Sequence, residues 1–360
     1  MRITDKTTTS NAIYNINEGR IRLDRLNEAS TTGRVVNRPS DDPVASKKIL
    51  DVETQIKASK QYISNIKTGQ TWLDMAGTSL EGMLSSVMSI KGAASQAAGA
   101  ISDPVKKEDI LSQLKAFRDQ LTDYPSSQVG GQYVFSGFNS DKPPFSATTR
   151  SGFTTTVGNP NITNVDTTDF YIGMPITGPD IPPDTVVSAF AGVTVTMSNN
   201  ATNSNTAGTL TFTGKFQGTE DILSIEVNKG VQVPISVSGG AVLRGSGTPP
   251  GVDIIKAIDT LIADVNSGNL AGISAANVAF DKANQQMLGA ISDIGMRKAR
   301  MDNALASQQR NSNALTEIHD NMQNIDYAKV AIELTNQKTA FDAALASTAK
   351  IAPLSLLNYL

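Results

Sequence analysis

The chain has 360 residues, with 31 Lys and Arg against 34 Asp and Glu, a balance that excludes the broad basic face needed to neutralise nucleic-acid phosphates. It has no Cys and a single His, which removes disulfide staples, thiolate metal sites and cysteine nucleophiles. Apolar runs are too short for a membrane-spanning helix of about 20 residues, and the opening Met1-Arg2-Ile3-Thr4-Asp5-Lys6 lacks the apolar core of a cleaved secretory signal.

Residues 1–42 carry a thin apolar stripe, Ile13, Ile16, Leu23 and Leu26, amid Thr, Asn and Arg. They read as a terminal helical segment, marginal in the lone chain and ordered where neighbours cover the stripe. Ser40-Asp41-Asp42-Pro43 then has the capping oxygens, early acids and proline of a helix start. A cation site on the paired carboxylates is the alternative reading.

Residues 43–145 form the N-terminal part of a helical bundle. From Ile49, steps of three and four land on Val52, Ile56, Ser59, Ile63, Ile66, Gln70, Leu73, Gly77, Leu80, Leu84, Val87, Lys91, Ala94, Ala98 and Ile101. Such a seam is coiled-coil-like, and one helix over about 43–102 is roughly 90 Å long. Gly69, Gly77, Gly82, Gly92 and Gly99 weaken it by about 1 kcal/mol each. Asp103-Pro104 breaks it, and Ile110, Leu114, Phe117 and Leu121 mark a second helix ending near Pro125. Trp72, beside Leu73, reads as packing. Gln132-Tyr133-Val134-Phe135-Ser136-Gly137-Phe138 reads as a hairpin with an aromatic face on Tyr133, Phe135 and Phe138.

Residues 146–250 hold eleven charged residues in 105 positions, against 54 in the other 255. Alternating runs such as Val193-Thr194-Val195-Thr196-Met197 and Val231-Gln232-Val233-Pro234-Ile235, bounded by Gly, Pro and Asn, predict a small all-β domain. Its first part, about 146–212, looks like an inserted module.

Residues 251–325 complete the bundle and 326–360 form a second terminal segment. Met287, Ile291, Ile294, Lys298, Met301, Leu305, Gln308, Ser312, Leu315, His319 and Met322 make one seam. Val330, Leu334, Gln337, Phe341, Ala344, Thr348 and Ile351 make another. A single stripe needs a partner, so the two ends of the chain are expected to pack together. The predicted class is α+β: an elongated helical bundle or coiled coil from the N- and C-terminal segments, with a central all-β domain inserted, a rod with a knob. His319 falls on a seam of Met, Leu and Ile and reads as a polar register residue. No phosphate-binding glycine loop and no His-Glu-x-x-His is present. No catalytic, cofactor-binding or metal site, and no small-molecule substrate, is expected.

Ser30-Thr31-Thr32-Gly33-Arg34-Val35-Val36-Asn37-Arg38-Pro39-Ser40-Asp41-Asp42-Pro43 resembles the N-terminal signature of the flagellar axial proteins, the bacterial flagellin family. Gly131-Gln132-Tyr133-Val134-Phe135-Ser136-Gly137-Phe138, Ile325-Asp326-Tyr327-Ala328, Ala340-Phe341-Asp342-Ala343-Ala344-Leu345 and the ending Leu354-Ser355-Leu356-Leu357 are similar to further stretches of that family. Arg38-Pro39-Ser40 and Pro43-Val44 favour its hook–filament junction branch over flagellin itself. The resemblance implies a structural adaptor exported without a cleaved signal peptide, through the flagellar type III apparatus. Its implied partners are copies of itself, hook-associated protein 1, flagellin and a flagellar export chaperone. Gly33, Arg34, Asn37, Arg38, Pro39, Asp41 and Asp42 become interface candidates, Arg34 and Arg38 as donors to acids on a neighbour. Tyr327, Phe341, Leu345, Leu354, Leu356 and Leu357 join them. A bulk filament subunit and a secreted coiled-coil adhesin remain alternatives.

Overall fold

The structure is a computed structural model that describes residues 5–357, apart from 146–147, 168–169, 171, 173, 184, 213–215 and 247–249. Its helices are α1 (Asp5–Thr32), α2 (Pro43–Ala100), α3 (Pro104–Asp123), α4 (Ile254–Ser267), α5 (Leu270–Gln323) and α6 (Tyr327–Leu357). Among the described residues, ten strands lie between α3 and α4. Helical ends with a central β region are the architecture that the sequence predicts. The chain divides into two compact units, Met1–Gln61 with Ser307–Leu360, and Tyr62–Ala306.

In the second unit α2 and α5 run antiparallel. Gln70 Nε2 donates to Asp302 Oδ1 at 2.6 Å, Lys298 Nζ lies 2.5 Å from Asp74 Oδ1, Lys91 pairs with Asp281, and Ser95 Oγ donates to Asn277 Oδ1 at 3.3 Å. Beneath this ladder Ile66, Leu73, Leu80, Val87 and Ala94 are buried, as the predicted seam requires. The alternate row is one residue off the prediction: Ala76, Met83, Ile90 and Ala97 are buried, where Gly77, Leu84, Lys91 and Ala98 were expected. A third row, Ser79, Ser86 and Ala93, is buried too. α2 has a second neighbour on that side, since Ser86 bonds Gln120 of α3. Two neighbours broaden a two-row seam into a wide stripe. Lys298, placed on the α5 seam, is instead on the surface, and its bond to Asp74 raises its pKa.

Two of the glycines are packing requirements rather than weak points. A Cβ on Gly69 would lie 2.4 Å from Ile225 Cδ1, and one on Gly82 would lie 2.4 Å from the Tyr124 ring, whereas Gly92 faces open space. Trp72 is buried as expected, with no hydrogen-bond partner for Nε1. α3 and α4 are tied by a buried ion pair, Arg118 Nε to Asp259 Oδ1 at 2.8 Å.

The aromatic hairpin is displaced from its predicted place. β1 (Gln128–Val129) pairs with β2 (Gln132–Tyr133) across Gly130 and Gly131, both at positive φ, as a tight hairpin turn demands. Val134 and Phe135 are both buried and Phe138 is exposed, so no single aromatic face exists.

Six strands follow: β3 (Thr148–Thr155), β4 (Asn161–Ile162), β5 (Ile176–Thr177), β6 (Val187–Ala191), β7 (Thr194–Met197) and β8 (Asn205–Phe212). They form two three-stranded sheets, β3-β8-β5 and β4-β7-β6. Antiparallel bridges, Thr154 to Thr163 and Pro175 to Val186, join the sheets at both edges. Closure leaves no long edge for another chain to extend. Phe153, Ile162, Ile176, Val187, Val195, Leu210 and Phe212 are buried, and Phe170 stacks edge-on against Phe212 at 4.4 Å. A separate hairpin, β9 (Ser224–Asn228) and β10 (Val231–Pro234), completes the β region.

Gly92→Ala is expected to raise stability by about 1 kcal/mol and Gly69→Ala to lower it by about 1–3 kcal/mol through overpacking, measured by denaturant unfolding. Asp253 caps α4 by accepting from Lys256 N–H, and burial raises its pKa despite the nearby Arg244. A raised folded-state pKa weakens the fold as pH rises past the unfolded carboxylate value. Asp253→Asn, which keeps a capping oxygen, is therefore expected to gain stability relative to the parent between pH 3 and pH 7 in paired unfolding curves.

Candidate assembly interface

In the first unit α1 and α6 lie side by side. Gln337 Nε2 donates to Gly19 O at 3.3 Å, and a Cβ on Gly19 would lie 3.2 Å from the Phe341 ring. The α6 stripe follows the predicted one: Val330, Leu334, Gln337, Phe341, Ala344 and Thr348 are all half-buried, and the side chain of Ile351 lies outside the described residues. On α1, Ile16, Leu23 and Leu26 are half-buried, while Ile13 is 54% exposed and drops out of the expected stripe. No described residue of α1 or α6 is buried. Each helix offers the other half a cover and no more.

Their outer faces are mostly polar but carry scattered large apolar side chains. Tyr14, Ile21, Ile332 and Leu345 are exposed. Arg22, Arg25, Leu26, Glu333, Gln337 and Ala340 line a shallow groove along the pair. Apolar surface of this kind gains roughly 25 cal/mol per Å² when covered. The side chains of Leu354, Leu356 and Leu357 lie outside the described residues, as do residues 358–360.

Most of the linker candidates turn out to shape the backbone. Gly33 closes α1 at φ +72°, its N–H bonding Ala29 O at 2.8 Å, the left-handed cap that glycine provides without strain. Asp41 Oδ2 accepts from Arg38 N–H at 3.0 Å, and Asp42 Oδ1 accepts from Val44 and Ala45 N–H at 3.0 and 2.9 Å. The acids therefore make a turn and a helix cap. Arg38 reaches Glu28 of its own chain at 3.5 Å, and Arg34 is exposed. Asn37 is half-buried and Pro39 exposed.

Sequence reading missed the pairing of the two linkers. Val35 N–H donates to Gln323 O at 2.8 Å and Ile325 N–H to Gly33 O at 3.1 Å, bridging Arg34 and Asn324. Tyr327 sits on this bridge, its hydroxyl 2.6 Å from where a Gly33 Cβ would be. Asp326 caps α6 through Ala328 and Lys329 N–H. His319 is held between Glu53 Oε1 at 3.4 Å and Asp320 Oδ1 at 3.3 Å, and Ser59 Oγ donates to Gln308 Oε1 at 2.9 Å. The Glu53–His319 and Ser59–Gln308 contacts set the register between α2 and α5.

Gly33→Ala meets both a left-handed backbone and the Tyr327 hydroxyl. It is expected to speed amide exchange in α1 of the full chain, and Tyr327→Phe to restore part of the loss by removing the clash. Exchange unchanged in Gly33→Ala would contradict this reading of the linker.

Comparison with known proteins gives concordant results. The model of the bacterial flagellin N-terminal helical region matches residues 3–140, and that of the C-terminal helical region matches residues 278–360. Flagellar hook-associated protein 3 of Salmonella typhimurium is 26% identical over 155 residues, covering 41% of this chain. That match spans 47% of the Salmonella protein, about half its length. A solved flagellar hook-associated protein from Vibrio parahaemolyticus superposes with a TM-score of 0.55 at 20% identity, over 79% of this chain and all of the other. Bacillus cereus FlgL gives 0.49 at 12% identity, over 75% of this chain and 99% of its own.

Proposed function

We propose, from the premise that both ends of the chain place it in the bacterial flagellin family, that it is a structural component of the flagellum at the hook–filament junction. There it connects hook-associated protein 1 to flagellin, and motility depends on it. One observation carries the reading: α1 and α6 present apolar stripes that a single chain half covers, while in the second unit the row Ile66, Leu73, Leu80, Val87 and Ala94 is buried. A helix pair left in that state is completed by further copies. Repetition of unlike surfaces in contact builds rings and tubes rather than closed dimers.

The role is one of packing. The linker acids are spent on a turn and a helix cap, and the single histidine on register. Export as an unfolded chain suits terminal helices with little intrinsic stability, which fold when stacked. A flagellar export chaperone fits the same need, covering these stripes before assembly.

A bulk filament subunit is the second reading, because the two family matches are to flagellin regions. Copy number separates them: a filament subunit is abundant and polymerises alone, whereas a junction protein is scarce.

Deletion of the gene is expected to leave hooks intact and flagellin shed unassembled into the medium. Filaments on the deletion strain would refute the junction role. Removal of residues 354–360 is expected to give a soluble, folded chain that fails to restore filaments; normal filaments would show that the tail is dispensable.

A further inference from the structure

Each terminal helix joins the long helix next to it through a linker, and the two linkers pair within the first unit. Arg34 and Asn324 face each other across an antiparallel bridge. The two bonds around them come from Val35 N–H and Ile325 N–H, not from Arg34 or Asn324. That makes them a non-hydrogen-bonded pair, whose Cα atoms stand about 4.5 Å apart.

Three neighbouring features brace the bridge. Gly33 ends α1 in the left-handed cap, and the Tyr327 hydroxyl stands over it. The Asp326 carboxylate starts α6 one residue beyond the bridged stretch. Arg38 folds the linker back toward Glu28 on α1.

Beyond this clasp neither α1 nor α6 has a buried described residue, so neither reaches stability by itself. A helix must pay a nucleation cost before propagation repays it. Two segments held together at their inner ends zip outward as a local event. Held apart, they must first close a loop through the rest of the chain.

We propose that the Arg34–Asn324 clasp couples the two ends of the chain into one cooperative unit. α1 and α6 order and loosen together, in one register. The inference stands on the geometry of the first unit alone and is independent of the flagellar reading.

The natural chain has no cysteine, which makes a crosslink test clean. The full chain is prepared with Arg34→Cys plus Asn324→Cys, and separately with Val36→Cys plus Asn324→Cys as an out-of-register control. A non-hydrogen-bonded pair is within disulfide reach, whereas the diagonal control lies at about 7–8 Å. Under mild oxidation the first pair is expected to close at least about tenfold faster than the control. Closing it should slow amide exchange in α1 and α6 by a common factor of about ten or more. The α2–α5 seam of the second unit should be unaffected, and reductant should reverse the effect. Equal closure of the two pairs would show that the clasp is not formed. Protection gained in one helix only, or in neither, would show that the ends are not coupled.

Discussion

The structure depends on an imbalance of burial. In the second unit Leu73, Leu80, Met83, Val87 and Ile90 are sealed between α2, α5 and α3, and the six-stranded barrel encloses its own aromatic core. In the first unit α1 and α6 cover one face of each other, and none of their described residues is buried. The hydrophobic effect scales with area removed from water, so the α1–α6 pair, none of whose described residues is buried, holds a driving force still unspent.

That asymmetry fits a subunit whose free and working states differ at its ends. Few buried contacts mean a low cost of local opening. The exposed Tyr14, Ile21, Ile332 and Leu345 mean a gain when a neighbour arrives. The linker keeps both helices aimed: capped by Gly33 and Asp326 and bridged at Arg34 and Asn324, they meet a neighbour as a pre-set pair. Preorganisation of this kind lowers the entropy lost on association.

Local signals in the sequence were the reliable ones. Pro43, Asp42, Asp103 and Pro104 mark helix starts because capping chemistry is confined to a few neighbouring residues. The α6 stripe was legible from Val330 to Thr348 because one neighbour covers one face. The long helix was half legible: Leu84 and Lys91 compete with Met83 and Ile90 on counting alone, and the choice is made by α3, which packing supplies and periodicity does not. Barrel closure rests on two backbone bridges, and the clasp on backbone N–H groups about 290 residues apart in sequence. Neither leaves a side-chain pattern to read. Gly69 reads as a helix weakness until Ile225 and Met301 are seen pressing on it.

The most direct measurement compares amide exchange in the free full-length chain with that in the assembled state. Completion by neighbours calls for α1 and α6 to exchange at least about a hundredfold faster when free, with the Leu73 to Ile90 stretch alike in both. Terminal helices as well protected in dilute solution as that buried stretch would mean that they need no neighbours, and would contradict the account.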